Sequence, residues 1–86
     1  MNASELVAWN LRRLRVAQGL SQEALAFESG VDRSYVGRME RGLENVTIRV
    51  LERLAERLGA ELAEFFRVPD ANEKPPEPLP GGRRPK

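Results

Sequence analysis

The prolines of this chain all lie at one end. Pro69, Pro75, Pro76, Pro78, Pro80 and Pro85 fall in the last 18 residues, and the 68 residues before them contain none. Proline lacks a backbone donor and clashes with the preceding helical turn, so a stretch without it can be helical almost throughout. That stretch is rich in Leu, Ala, Glu and Arg, all strong helix formers. Its apolar residues recur every three or four positions, the helical period, not every two. The expected fold class is therefore all-α. Caps and glycines divide it into five short helices. The first runs from near Ser4 to Gln18, carries Val7, Leu11 and Leu14 on one stripe, and stops at Gly19. The second starts at the cap Ser21 and ends near Ser29, before Gly30. The third starts at the cap Asp32, covers about 33–41 and stops at Gly42. The fourth starts at the cap Thr47 and ends before Gly59. The fifth covers roughly Glu61–Arg67 and stops at Pro69.

The starts of the second, third and fourth helices share one device. An apolar residue precedes each cap and another sits four residues inside: Leu20 with Leu25, Val31 with Val36, Val46 with Leu51. Such hydrophobic staples fix the angle at which the chain enters a helix. Three in succession predict sharp, rigid turns. Residues 69–86, PDANEKPPEPLPGGRRPK, have almost nothing to bury and are expected to form a disordered Pro-rich tail. The expected organisation is one domain over 1–68 followed by this tail.

Composition excludes several chemistries. With no cysteine and no histidine there is no disulfide, thiol nucleophile, imidazole base, or Cys or His metal ligand; neither metal nor cofactor is expected. No apolar run reaches the roughly 18–20 residues of a membrane span, and the first residues lack a signal-peptide pattern, so the expected location is cytoplasmic. Residues 1–68 hold ten arginines against ten acids, so any nucleic-acid partner must be recognised by the placement of charge, not its excess. Glu52, Glu56, Glu61 and Glu64 alternate with Arg49, Arg53 and Arg57. That is the pattern of a salt-bridged helix surface, not of a catalytic carboxylate pair, and no enzymatic activity is expected.

Residues 21–42, SQEALAFESGVDRSYVGRMERG, carry the functional signal. Two short helices are joined by about three residues. Ala26 is small where the helices would cross, Gly30 permits an abrupt break, and Leu25, Val31, Val36 and Met39 fall on inner faces. This is a helix-turn-helix arrangement, whose second helix enters the DNA major groove. On the third helix, Arg33, Ser34, Gly37 and Arg38 face outward. Arg33 and Arg38 are the candidate base readers, since an arginine fork can pair with guanine O6 and N7, and Ser34 is a secondary one. The competing reading of both arginines is a solvated face with ion pairs to nearby acids. Ser21 and Gln22 open the second helix, where free N–H groups suit a phosphate. Tyr35, Arg41 and Asn45 are further candidate phosphate contacts, and Thr47 serves either as one or as a plain cap. Gly37 costs about 1 kcal/mol relative to alanine inside a helix, which is consistent with close approach of backbone to the groove or with tolerated drift. Arg12 and Arg13 on the first helix reach phosphate or form a solvated face. Trp9 is open between helix packing and a surface contact.

L-R-R-L-R-x3-G-L-S-Q-E-x-L-A over 11–26, followed by G-V-x-x-S-Y-V-x-x-M-E-R-G over 30–42, resembles the lambda-repressor-like (Cro/CI, xenobiotic-response-element) helix-turn-helix family. The resemblance covers about residues 5–67 and lies nearest to small regulators such as restriction–modification controller proteins. It implies a compact five-helix fold, sequence-specific binding of double-stranded DNA, and a homodimer on a palindromic operator. It also implies a phosphate or base contact at Gln22 and an internal ion pair between Arg15 and Glu40. Leu62, Phe65 and Phe66 form an apolar patch that either closes the core or marks the dimer interface. A protein-interaction module, such as an antitoxin with a protein partner captured by the tail, is the alternative on the same scaffold.

Overall fold

The computed structural model describes residues 1–77; Pro78, Pro80, Pro85 and the basic cluster Arg83, Arg84 and Lys86 lie outside the described residues. The chain forms α1 (Ala3–Ala17), α2 (Gln22–Ser29), α3 (Arg33–Glu40), α4 (Ile48–Leu58) and a 3₁₀ helix (Leu62–Phe66). No strand occurs among the described residues, and no helix there is long and apolar enough to cross a membrane.

Each start has a local cause. Ser21, Asp32 and Thr47 cap α2, α3 and α4, each accepting from a first-turn backbone N–H. α1 begins one residue earlier than the sequence suggests, because Asn2 and Glu5 form a reciprocal capping box. Gly30 ends α2 at φ +69°, in the left-handed region that glycine occupies without strain. α3 ends at Glu40, with Arg41 as its cap, not its last residue. The fifth element is 3₁₀, not α. Only nine residues separate Gly59 from Pro69, and Glu61 offers no side-chain cap.

The three staples close as expected. Leu25, Val36 and Leu51 are buried, and Leu20, Val31 and Val46 pack against them from the rim of the core. α1 lies across α3 on one side and the 3₁₀ helix on the other, and α2 packs between α3 and α4. Leu11, Met39, Leu54 and Leu58 fill the centre. Phe65 is 0% exposed and belongs to this core. Of the two readings of its patch, Phe65 takes the core one, while Leu62 and Phe66 remain exposed, at 39% and 47%.

Two polar devices fix these helices in place. Asn10 is fully buried on α1. Its Nδ2 donates to the carbonyls of Phe65 and Arg67, at 3.0 and 2.8 Å, and its Oδ1 accepts from Arg13 Nε. Arg13 Nη2 in turn reaches the Glu64 carbonyl and carboxylate, at 3.1 and 3.0 Å, so it acts as a clasp and not as a free surface cation. The second device is the expected pair. Arg15 Nε and Nη2 meet the two Glu40 oxygens at 2.6 and 2.9 Å, with side chains only 7% and 2% exposed.

Beyond the 3₁₀ helix, residues 69–77 carry no helix but make specific contacts. Arg67 binds the Glu73 carboxylate at 2.7 Å, and Glu73 also accepts from the Asp70 N–H. These bonds hold the Glu73 carboxyl below the usual carboxylate range. Pro75 and Pro76 then lie beside Trp9 and Arg12, in a cleft of ≈ 240 Å³ that also reaches Arg41. Specific contacts thus continue past residue 68, although none of residues 69–77 is buried.

Two substitutions check these devices. Asn10→Ala strands the Phe65 and Arg67 carbonyls and should lower unfolding stability in urea by about 1–3 kcal/mol, with the amides of the 3₁₀ helix exchanging first. Glu40→Ala leaves a buried guanidinium without a counter-charge and should cost about 3–5 kcal/mol in the same measurement.

Candidate nucleic-acid interface

α3 is held by its inner face, where Val36 and Met39 are buried, and by Glu40 at its end. Its outer face presents Arg33, Ser34 and Arg38, all exposed. The sequence reading therefore places these three correctly on one surface. The competing reading of both arginines, ion pairs to nearby acids, is also present, and the structure names the acids. Arg33 pairs with Glu23 of α2, Nε to Oε2 at 3.2 Å, and both side chains are open to solvent. Arg38 pairs with Glu44 in the loop after α3. Ser34 donates its hydroxyl to Asp32, the residue that also caps its backbone N–H at 2.8 Å. The hydroxyl and amide of Ser34 hold the Asp32 carboxyl below its ordinary range.

The N-terminus of α2 meets this face. Gln22 Nε2 donates to Glu40 Oε1 at 3.0 Å. A carboxylate can only accept, so it fixes which way the amide points. Gln22 Oε1 then stands 3.6 Å from where a side chain at Gly37 would begin, with Arg41 at 4.0 Å on the other side. Gln22, Gly37 and Arg41 therefore form one contiguous strip beside Arg38. Gln22 Nε2 has a second N–H beyond the one given to Glu40, and its Oε1 remains an acceptor. Ser21 spends its hydroxyl oxygen on the Ala24 N–H as a cap.

The other predicted contacts divide. Arg41 is exposed, and among the described residues neither it nor Arg12 enters an ion pair. Tyr35 is half-buried with its ring against the core. Thr47 caps α4, its hydroxyl accepting from Val50 N–H at 3.2 Å. Asn45 lines an apolar cleft with Ile48, Leu51 and Phe66, away from the Gln22–Arg41 strip in its lining. No cluster of His, Cys, Asp or Glu suited to a metal ion occurs among the described residues.

Two short helices at a tight glycine turn, with the second carrying the exposed arginines, are the geometry of a helix-turn-helix. The helix-turn-helix family model HTH_3 matches residues 11–65. The crystal structure of the restriction–modification controller protein C.AhdI from Aeromonas hydrophila superposes with a TM-score of 0.71 at 51% identity, covering 73% of this chain and 96% of that one. The controller C.Esp1396I bound to a 19 base pair DNA duplex superposes with a TM-score of 0.70 at 32% identity, covering 77% and 88%. A hypothetical transcription factor of Neisseria meningitidis is 36% identical over 69 residues, which is 80% of this chain and 65% of that protein's length. This chain belongs to the helix-turn-helix family HTH_3, among relatives that include restriction–modification controller proteins.

Proposed function

We propose that this protein is a non-enzymatic transcriptional regulator that binds a palindromic DNA operator as a homodimer, with α3 in the major groove. What carries the proposal is the outward face of α3: Arg33, Ser34 and Arg38 exposed on a helix whose inner face and end are fixed. Arg33 and Arg38 read base edges, with Ser34 beside them. Ser21, Gln22 and Arg41 hold the flanking phosphates, and Tyr35, Asn45 and Thr47 are secondary contacts of the same kind. A relative of the same fold has been crystallised on a duplex, which supports the groove assignment. Gly37 sits between Gln22 and Arg41, where a side chain would stand between α3 and the DNA backbone.

The dimer is supported by apolar surface that the monomer leaves uncovered. Ile48, Leu62, Phe66 and Val68 are exposed, and Ile48 and Phe66 share a cleft of ≈ 150 Å³. A small domain gains by burying such surface against its twin. Two-fold symmetry would set the recognition helices about 34 Å apart, one turn of DNA.

Selection of sites from random duplexes, with stoichiometry measured on the enriched sequence, tests this directly. An enriched palindrome bound by two chains is expected; no enrichment at moderate salt overturns it. Arg38→Ala should relax preference at one base pair per half-site by about 1–3 kcal/mol. Arg41→Ala should instead weaken all duplexes alike and reduce the salt slope by about one unit. Gly37→Ala should raise thermal stability by up to about 1 kcal/mol, since the methyl finds room, and weaken binding to every duplex.

A further inference from the structure

Arg38 does not project alone into solvent. Its Nε donates to Glu44 Oε2 at 3.0 Å, and its Nη2 donates to the same oxygen. The Glu44 side chain is 17% exposed against 50% for Arg38, so the carboxylate is the more buried partner of the pair. The loop that carries Glu44 is itself tied down. Leu43 N–H donates to the Arg38 carbonyl at 3.0 Å, and Ser4 Oγ donates to the Glu44 carbonyl at 3.4 Å. The Arg33–Glu23 pair has none of this support: a 3.2 Å contact between side chains 64% and 71% exposed.

A guanidinium has five N–H groups in a rigid planar fork. Occupying the Nε–Nη2 edge fixes the plane and leaves the edge between the two terminal nitrogens pointing away from Glu44. That edge is able to fork onto guanine O6 and N7. The same carboxylate puts a negative charge where a phosphate would have to approach to claim Arg38, and like charges at that range repel. We propose that Glu44 is a specificity-determining positioning residue, which aims Arg38 at a base edge and withholds it from the DNA backbone. This rests on Arg38 being a base contact. The near-neutral domain fits such a division, because an arginine already carrying its counter-charge contributes little to sequence-blind binding.

The test uses the full chain as wild type, Glu44→Gln, Glu44→Ala, Arg38→Ala and the double variant Arg38→Ala/Glu44→Ala. Each is titrated against the selected site, against that site with each base pair replaced in turn, and against a random duplex. Both Glu44 variants should bind the random duplex about fivefold tighter at about 0.15 M salt, the equivalent of roughly one added phosphate contact. Glu44→Ala should also lose about fivefold or more of the preference at the base pair that Arg38 reads, and Glu44→Gln less, since its amide oxygen still accepts. In the Arg38→Ala background, Glu44→Ala should leave every remaining preference unmoved, and the thermal midpoint should barely change in either background. A purely structural ion pair would shift the midpoint and not the preference. If Glu44→Ala keeps full preference while Arg38→Ala loses it, the positioning role is overturned and the base contact stands. If random-duplex affinity does not rise in either Glu44 variant, the withholding role is overturned. If Arg38→Ala keeps full preference, the base contact and the positioning role fall together.

Discussion

The buried pair of Arg15 and Glu40 is the contact on which the rest of the interface depends. Moving two charges out of water is expensive, and the cost is offset only when nearly every donor and lone pair is matched. Here the matching is dense. Arg15 gives two nitrogens to Glu40 and a third, Nη1, to the Leu20 carbonyl at 2.7 Å, and Gln22 supplies a further donor to Glu40. α1, the turn before α2, the first residue of α2 and the last residue of α3 thus converge on one carboxylate and one guanidinium. An apolar contact of equal volume would stabilise the fold without fixing a rotation. The pair fixes α3 about its own axis, and through Gln22 it decides which amide atom faces outward. The chemistry offered at the surface is set by an interaction that never reaches it.

The charges on that surface follow a second rule. Arg33 and Arg38, the two exposed arginines of α3, are each matched to a glutamate, and among the described residues Arg41 is not. A domain with equal numbers of arginines and acids generates little long-range field. Affinity for DNA must then come from short-range complementarity, and from the doubling that the proposed dimer would provide, not from general attraction to polyanion. Under the proposed binding mode, pairing Arg33 and Arg38 while Arg41 has no acidic partner among the described residues is a distribution of charge that suits discrimination between sequences.

Much of the fold was legible because its signals are local. A cap, a staple and a terminal glycine each act within five residues, and Ser21, Asp32, Thr47 and Gly30 do in the structure what their spacing implies. The outward face of α3 was legible for the same reason, since the helical period assigns it once Val36 and Met39 are turned inward. What the sequence could not show depends on partners far apart in the chain. Phe65 and Phe66 are adjacent and chemically identical, and nothing local says which is buried. The choice is made by Asn10 and Arg13, which grip the carbonyls of Glu64, Phe65 and Arg67 across more than 50 residues. A lone asparagine within a helix gives little warning of that role. The contacts of Pro75 and Pro76 beside Trp9 were hidden similarly, because composition reports what a segment can bury of itself and not the groove another helix offers it.

α3 is an unpromising helix in isolation. It has eight residues, one of them glycine, and helices this short are marginal in water. It exists because the rest of the domain holds it: Asp32 caps its start, Val31 and Val36 clasp its entry, Met39 anchors its last turn, and Glu40 locks its end. Apart from the cap Asp32, none of those positions is exposed. The residues that define the fold of α3 and the residues that define what it touches are therefore separate sets, interleaved on a single two-turn helix. Under the proposed binding mode, a change at positions 33, 34, 37 or 38 would alter recognition while the inner set keeps the helix in place. A scaffold with that separation can be turned to new sequences without being rebuilt.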